Sequence, residues 1–174
     1  KNNLVREGID FLSQFVIQGE ESLKKPDIVV FMPGNNLIVI DSKASKFFLE
    51  LTEKEGSEKE SEIIEKLRKR MNDHLNSLAS KDYKESVKKI YEKSGKNGSV
   101  NSIFTVMYLH SESAVEKICN IDKQFQQKCI SLGIIPLGPT GLAGPLYAAT
   151  IAIEKEQQSK NYELIMQEFG NLLG

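Results

Sequence analysis

The chain of 174 residues carries 23 lysine and arginine residues against 24 aspartate and glutamate residues, which gives a net charge of −1. This balance excludes a polycation that binds nucleic acid over its whole surface, so any DNA binding must come from a local positively charged patch. No apolar run reaches the length of a membrane span and no signal peptide is visible. We therefore expect a single globular domain over residues 1–174, without membrane contact.

The predicted elements alternate between strands and helices. Loose alternation indicates a first strand at 11–17, and apolar runs on both sides of Pro33-Gly34-Asn35-Asn36 predict a β-hairpin with strands at 28–31 and 37–40. After the hairpin we expect, in chain order, a helix from a capping box at Ser57–Glu60 to about Tyr83, a loop at 93–99, a strand at 103–109, a helix from Ser111 to about Ile130, a strand at 134–137 and a last helix from Thr140. This order predicts an α/β sheet with mixed strand directions.

The hairpin brings acidic residues together. In an antiparallel pair, the start of one strand lies beside the end of the other, so we expect Asp27 and Asp41 side by side. Lys43 is two residues past Asp41 and points to the same face. Two close carboxylates require a cation, a shared proton or a basic neighbour, and Mg²⁺ favours such a pair. The alternative is structural: Asp27 is a turn residue, and Asp41 forms a strand-end salt bridge with Lys43 or Lys46.

The first long helix carries two stripes. Its buried stripe is predicted at Ile64, Leu67, Met71, Leu75 and Leu78. Beside it Arg70, His74, Ser77 and Lys81 recur at helical spacing and form either a solvated flank or a contact with a phosphate backbone.

Two further features allow more than one interpretation. Gly138-Pro139-Thr140-Gly141 at the start of the last helix either binds an anion or is a plain helix cap with Thr140 as the N-cap. Cys119 and Cys129 stand on different faces of one predicted helix, so they do not bridge easily, and idle thiols fit a reducing cytoplasm.

Several segments of the chain resemble a known family. The segment Asp27…Asp41-Ser42-Lys43 resembles the PD-(D/E)xK nuclease motif. The wider sequence resembles the RmuC family of DNA recombination proteins, through Lys25–Val30, Val39–Ser45, His74–Tyr83, Gly138–Leu142 and Glu156–Asn161, which occur in the family's order.

The resemblance implies a restriction-endonuclease-like mixed sheet flanked by helices and a Mg²⁺-dependent deoxyribonuclease, with Mn²⁺ as a possible substitute. Asp27 and Asp41 would bind the metal with the backbone carbonyl of Ser42, and Lys43 would position the attacking water. DNA contacts would come from Arg70, His74, Lys81, Gln158 and Lys160. A glutamate that many such enzymes add from a helix before the first strand lies before Lys1 or is absent. The alternatives are a non-catalytic DNA-binding or scaffolding module that keeps the fold, and an RNA nuclease of the same superfamily.

The resemblance also concerns the whole protein. Because the chain begins at Lys1 without methionine, we expect it to be a piece of a longer protein. RmuC proteins usually carry an upstream coiled-coil region, sometimes with a membrane anchor, through which they could self-associate. We expect a cytoplasmic protein whose substrates include branched or inverted-repeat DNA.

Overall fold

A computed structural model describes residues 6–13, 25–43 and 45–173, apart from the side chains of residues 81, 172 and 173. The strands of this part are β1 (Phe11–Ser13), β2 (Ile28–Met32), β3 (Asn36–Ser42), β4 (Ser102–Tyr108) and β5 (Ile134–Leu137). They form one five-stranded sheet in the order β1-β2-β3-β4-β5. The pairs β1–β2 and β2–β3 are antiparallel, whereas β3–β4 and β4–β5 are parallel. The predicted mixed sheet is confirmed.

The helices are α1 (Phe47–Glu53), α2 (Glu60–Ala79), α3 (Lys81–Lys93), α4 (Glu112–Ile121), α5 (Phe125–Ser131) and α6 (Pro139–Leu173). Helices α1 to α5 supply the residues that pack on one face of the sheet, which we call the first face. Helix α6 packs on the second face through Ala149 and Ile153. None of the helices in the described ranges is both long enough and apolar enough to cross a bilayer.

The central hairpin is buried on both faces because its strands lie between these two helical layers. Val29 and Val39 face the first layer, whereas Val30 and Ile40 face α6, and all four are at most 5% exposed. Such double burial explains why β2 and β3 read as continuous apolar runs rather than as alternating ones. The predicted hairpin is confirmed, and a short 3₁₀ turn at Pro33–Asn35 connects its strands.

Two of the predicted helix boundaries are wrong. Helix α2 begins at Glu60, not at a capping box, because the Ser57 hydroxyl donates to the carbonyl of Lys54, three residues earlier. Helix α2 also ends at Ala79 rather than near Tyr83. Ser80 is extended there, and its hydroxyl accepts a hydrogen bond of 3.3 Å from the backbone N–H of Tyr83, which starts α3. The predicted buried stripe of α2 is confirmed, except that Ile63 is buried where Ile64 was expected.

The helix predicted from Ser111 to Ile130 is two helices. Ser111 does cap α4, as predicted, but the chain breaks at Asp122. The Asp122 carboxylate accepts hydrogen bonds from Lys128 at 2.7 Å and from Asn72 of α2 at 3.2 Å, so its partners come partly from elsewhere in the fold. Cys119 and Cys129 therefore lie on different helices, and both are free thiols.

The remaining strand predictions hold where they can be compared. The strands predicted at 103–109 and 134–137 correspond to β4 and β5. Of the strand predicted at 11–17, residues 11–13 form β1, and the rest lies outside the described residues. The last helix begins at Pro139, so Thr140 lies inside its first turn and is not the N-cap.

Candidate functional site at the end of the central hairpin

Asp27 and Asp41 lie close to each other where the hairpin opens. The paired register of the hairpin ends at Ile28 of β2 and Ile40 of β3, directly next to Asp27 and Asp41 in the chain. The backbone N–H of Asp27 donates to the carbonyl of Ile40 at 3.1 Å, so the main chain of Asp27 stays against β3 although the paired register ends at Ile28. Asp41 alternates with Val39 along β3 and therefore points to the first face. The Asp27 side chain reaches the backbone N–H of Ser42, the residue after Asp41, so the two carboxylates lie close together.

The two carboxylates differ in their environments. Asp27 is exposed, and its Oδ2 accepts a hydrogen bond of 2.5 Å from the backbone N–H of Ser42, which fixes its orientation. Asp41 is only 5% exposed because α2 and α3 cover this face. Burial raises the pKa of the Asp41 carboxyl; Lys43 opposes this increase, and the negative charge of Asp27 adds to it.

Lys43 is the internal counter-ion of Asp41. Its Nζ forms an ion pair with Asp41 Oδ1, and its backbone N–H donates to the carbonyl of Tyr108 at 2.8 Å, which anchors the residue beside β4. The site thus combines two carboxylates with one ammonium group and carries a formal charge of −1 when all three are ionised. A further cation would reduce the repulsion between the carboxylates.

His74 reaches the same region from α2. Its Nε2 is buried and has no hydrogen-bond partner among the described residues. Burial, followed by the charges of Arg70 and Lys43, lowers the pKa of His74 to about 4. The imidazole is therefore neutral near pH 7, and it can offer a phosphate a hydrogen bond but not a positive charge.

Tyr83 was not among the predicted site residues, and it reaches the site from α3. The residue is 2% exposed, and its hydroxyl makes no well-formed hydrogen bond to any described residue although it lies near Asp41. Burial, followed by the charge of Asp41, a hydrogen-bonding interaction with that carboxylate and the charge of Asp27, raises the pKa of the Tyr83 hydroxyl. The hydroxyl therefore stays protonated and acts only as a neutral donor or acceptor. Tyr83 belongs to the segment His74–Tyr83 that carries the family resemblance, but no local pattern predicts its proximity to Asp41, since nothing local links α3 to the hairpin.

The other predicted DNA contacts are divided between two places. Arg70 is exposed on α2, close enough to His74 to affect its pKa, and Lys81 is the first residue of α3, although its side chain is outside the described set. Gln158 and Lys160 are exposed on α6 instead.

The direction of α6 explains this separation. The helix starts just after Leu137, near the end of β3 that carries Asp41, and runs back to the opposite end, where Lys160 lines a cleft together with Gly34 and Asn35 of the hairpin turn. The seven residues of β3 span roughly 20 Å between these ends. Gln158 and Lys160 are therefore not brought together with Asp27 and Asp41.

At the start of α6, for which the sequence allowed either an anion site or a plain helix cap, the backbone donors are occupied by a carboxylate of the chain itself. Oε1 of Glu112 accepts hydrogen bonds from the backbone N–H groups of Thr140 at 2.7 Å and Gly141 at 3.1 Å. These are orphan donors of the first helical turn, and a negative side chain is favoured at that position. The glycine segment is thus part of an internal helix cap, which corrects the anion-binding interpretation for this arrangement.

The donor set at the hairpin end fits a hard divalent cation. Mg²⁺ is typically held by one or two carboxylates, with water and substrate oxygens completing its octahedron. Asp27 and Asp41 supply such a pair, and the described residues contain no group of three or more His, Cys, Asp or Glu side chains placed to hold a metal. The protein would therefore leave several coordination positions open to water and substrate.

The fold and site define an α/β protein with an acidic pair and a lysine at the end of its central hairpin. The chain belongs to the RmuC family, whose family profile matches residues 1–174. It is 38% identical over 174 residues to the "DNA recombination protein RmuC homolog" of Rickettsia bellii and 39% identical to that of Rickettsia felis, in each case over 99% of this chain and 38% of the relative. The similarity to the Vibrio cholerae homologue is 26% identity over 97% of this chain and 31% of the relative.

The chain thus spans 38% of the length of the rickettsial relatives. No solved structure matches it.

Proposed function

We propose that this chain is a metal-dependent nuclease domain of the PD-(D/E)xK superfamily that hydrolyses phosphodiester bonds in DNA during recombination. The convergence of Asp27, Asp41 and Lys43 at one end of a buried hairpin carries the proposal. The names of the relatives, which describe DNA recombination proteins, support DNA as the partner and recombination as the process.

Each residue of the site has a separate task in this proposal. Asp27 and Asp41 hold Mg²⁺ or Mn²⁺, with the backbone carbonyl of Ser42 as a further protein ligand. When bound, the metal supplies a Lewis acid for the phosphate and lowers the pKa of a coordinated water. Lys43 exchanges its contact with Asp41 for the substrate, where its ammonium group positions the attacking water and stabilises negative charge on the phosphate.

The DNA approaches the hairpin end from the side of α2 and α3. Arg70 offers a positive charge to the phosphate backbone there, His74 offers a neutral hydrogen-bonding group, and Lys81 begins the next helix. Gln158 and Lys160 would contact a different stretch of DNA, because they lie at the opposite end of the sheet. Branched or inverted-repeat DNA would allow both ends to be engaged at once.

A non-catalytic DNA-binding or scaffolding module is the second candidate. The observation that favours it is the small donor set, since two carboxylates converge among the described residues and one of them is already paired with Lys43. The two candidates differ in whether the acidic pair takes part in cleavage after DNA has bound.

The deciding experiment is a cleavage assay on linear, nicked and branched DNA, and on RNA, in Mg²⁺ or in EDTA. The proposal predicts Mg²⁺-dependent cleavage of DNA that Asp41→Asn and Lys43→Ala each reduce by at least a hundredfold. The matched controls are Asp122→Asn and Lys128→Ala, which alter a 2.7 Å ion pair between a buried aspartate and a partly exposed lysine away from the hairpin.

Each other outcome of this assay has a defined meaning. DNA binding without cleavage in the wild type would favour the scaffold, and cleavage that survives both site variants would contradict the assigned residues. Preferential cleavage of RNA would identify the third candidate, an RNA nuclease.

A further inference from the structure

The hydroxyl of Tyr83 is held in place near Asp41 without a well-formed hydrogen bond to any described residue. The start of α3 is fixed by the Ser80 cap, and the tyrosine ring belongs to the main hydrophobic core. The side chain therefore cannot swing toward solvent, and only the O–H bond is free to rotate. A buried hydroxyl that makes no hydrogen bond destabilises a folded protein, so phenylalanine would suit this position better if packing were the only requirement.

Tyr91, on the same helix, is a buried tyrosine whose hydroxyl is hydrogen-bonded. It lies two turns further along α3 and is 3% exposed, which is close to the exposure of Tyr83. Its hydroxyl donates to Oδ1 of Asn35 at 2.8 Å and also contacts the carbonyl of Asn97 at 3.3 Å. The contrast is therefore in the surroundings of the two hydroxyl groups and not in their burial.

Asp41 is an acceptor close to Tyr83. The carboxylate interacts with the hydroxyl both through its charge and through a hydrogen-bonding interaction that falls short of good geometry, while its Oδ1 is engaged by Lys43. When Lys43 turns toward a substrate phosphate, Asp41 loses the donor that orients it. A protonated hydroxyl fixed beside the carboxylate can take over that hydrogen bond by rotation of the O–H bond alone.

We infer that Tyr83 is a positioning residue, whose buried hydroxyl donates a hydrogen bond to the Asp41 carboxylate and keeps it aimed at the divalent cation once Lys43 has moved to the substrate. This inference rests on the proposed function. It assigns Tyr83 the part that hydrogen-bonding groups around metal ligands commonly play, where their loss weakens metal affinity by about 10- to 100-fold.

The test compares Tyr83→Phe with Tyr91→Phe in the full chain. Two quantities are measured for each: the midpoint of thermal unfolding in EDTA, and the dissociation constant for Mn²⁺ or Mg²⁺ by calorimetry. We expect Tyr83→Phe to keep or raise the midpoint and to weaken cation binding about tenfold. Tyr91→Phe should do the reverse, with a lower midpoint and an unchanged dissociation constant, because it loses a hydrogen bond far from the site.

The outcomes separate this inference from the proposed function. If the wild type binds the cation and Tyr83→Phe binds it equally well, the positioning role is wrong while the metal site stands. If Tyr83→Phe lowers the midpoint as Tyr91→Phe does and leaves the affinity unchanged, the hydroxyl serves folding and the inference is overturned. If the wild type binds no divalent cation, the proposed function fails and the positioning role fails with it.

Discussion

Lys43 and Asp41 form an ion pair at the end of β3, and their side chains are 20% and 7% exposed. The pair lies close to a second carboxylate, that of Asp27, at the open end of the hairpin. Lys43 is therefore the group that compensates the acidic pair when no other cation is present. The same lysine would be released for chemistry when a divalent ion takes over this compensation.

Replacing Lys43 by methionine should destabilise the chain in a pH-dependent way. It leaves the buried Asp41 beside Asp27 without a counter-ion, which for buried pairs costs about 3 to 5 kcal/mol; partial exposure of Lys43 reduces this to roughly 2 kcal/mol. Folding raises the pKa of the Asp41 carboxyl, so protonation of this group at low pH stabilises the folded chain. This stabilisation is lost as the pH rises through the folded-state pKa. The loss should thus be larger at pH 8 than at pH 5 in denaturant unfolding.

The double variant Asp41→Asn/Lys43→Met is the control for this effect. It has no buried charge to compensate, so it should recover most of the stability that Lys43→Met loses, with little dependence on pH. An equal loss of stability in the single and double variants would show that the ammonium group does not compensate Asp41.

His74 should make the wild type sensitive to acid. Its pKa is lowered to about 4 in the folded chain, whereas an unperturbed histidine titrates near 6.5. The unfolded chain therefore binds the proton more readily, and stability that is fully present above pH 6.5 is lost as pH falls toward 4. Solvent screening at the half-buried ring limits this loss to roughly 1 to 2 kcal/mol.

His74→Gln tests this prediction by unfolding in urea at several pH values. The difference in unfolding free energy between wild type and variant should shrink between pH 6.5 and pH 4. His110→Gln, which replaces the other of the two histidines, controls for general effects of losing an imidazole. A constant difference between wild type and His74→Gln across this pH range would contradict the neutral state of His74.

Glu112 and Gly138 should behave as a coupled pair at the start of α6. Glu112→Ala removes the acceptor of two helix N–H groups and should lower the unfolding free energy by about 1 kcal/mol. A Cβ added at Gly138 would come within 2.6 Å of the Glu112 carboxylate, so Gly138→Ala should displace that side chain and cost a similar amount. Because both changes disrupt one interaction, their effects should not add in a double-mutant cycle. Additive losses would show that the two positions act independently.

The hairpin and the meeting of Asp27 with Asp41 could be predicted because both depend on local information. Apolar runs separated by a turn fix the strand pairing, and the pairing fixes which residues face each other. Fold class followed from the order of the elements for the same reason. The roles of these residues in catalysis stay a prediction.

Long-range contacts explain what the sequence did not reveal. The break at Asp122 is stabilised by Asn72, which lies fifty positions earlier, so no local pattern marks it. Tyr83 meets Asp41 only because α3 packs on the first face of the sheet. Lys160 lies in a segment that resembles the family. The path of α6 nevertheless places this residue at the far end of the sheet from the acidic pair.

The central claim is that Asp27 and Asp41 together hold one divalent cation, and a calorimetric titration with Mn²⁺ tests it most directly. We predict one site per chain in the wild type, lost in both Asp27→Asn and Asp41→Asn and retained in Asp122→Asn. No binding by the wild type, or a site that survives both hairpin variants, would contradict the account.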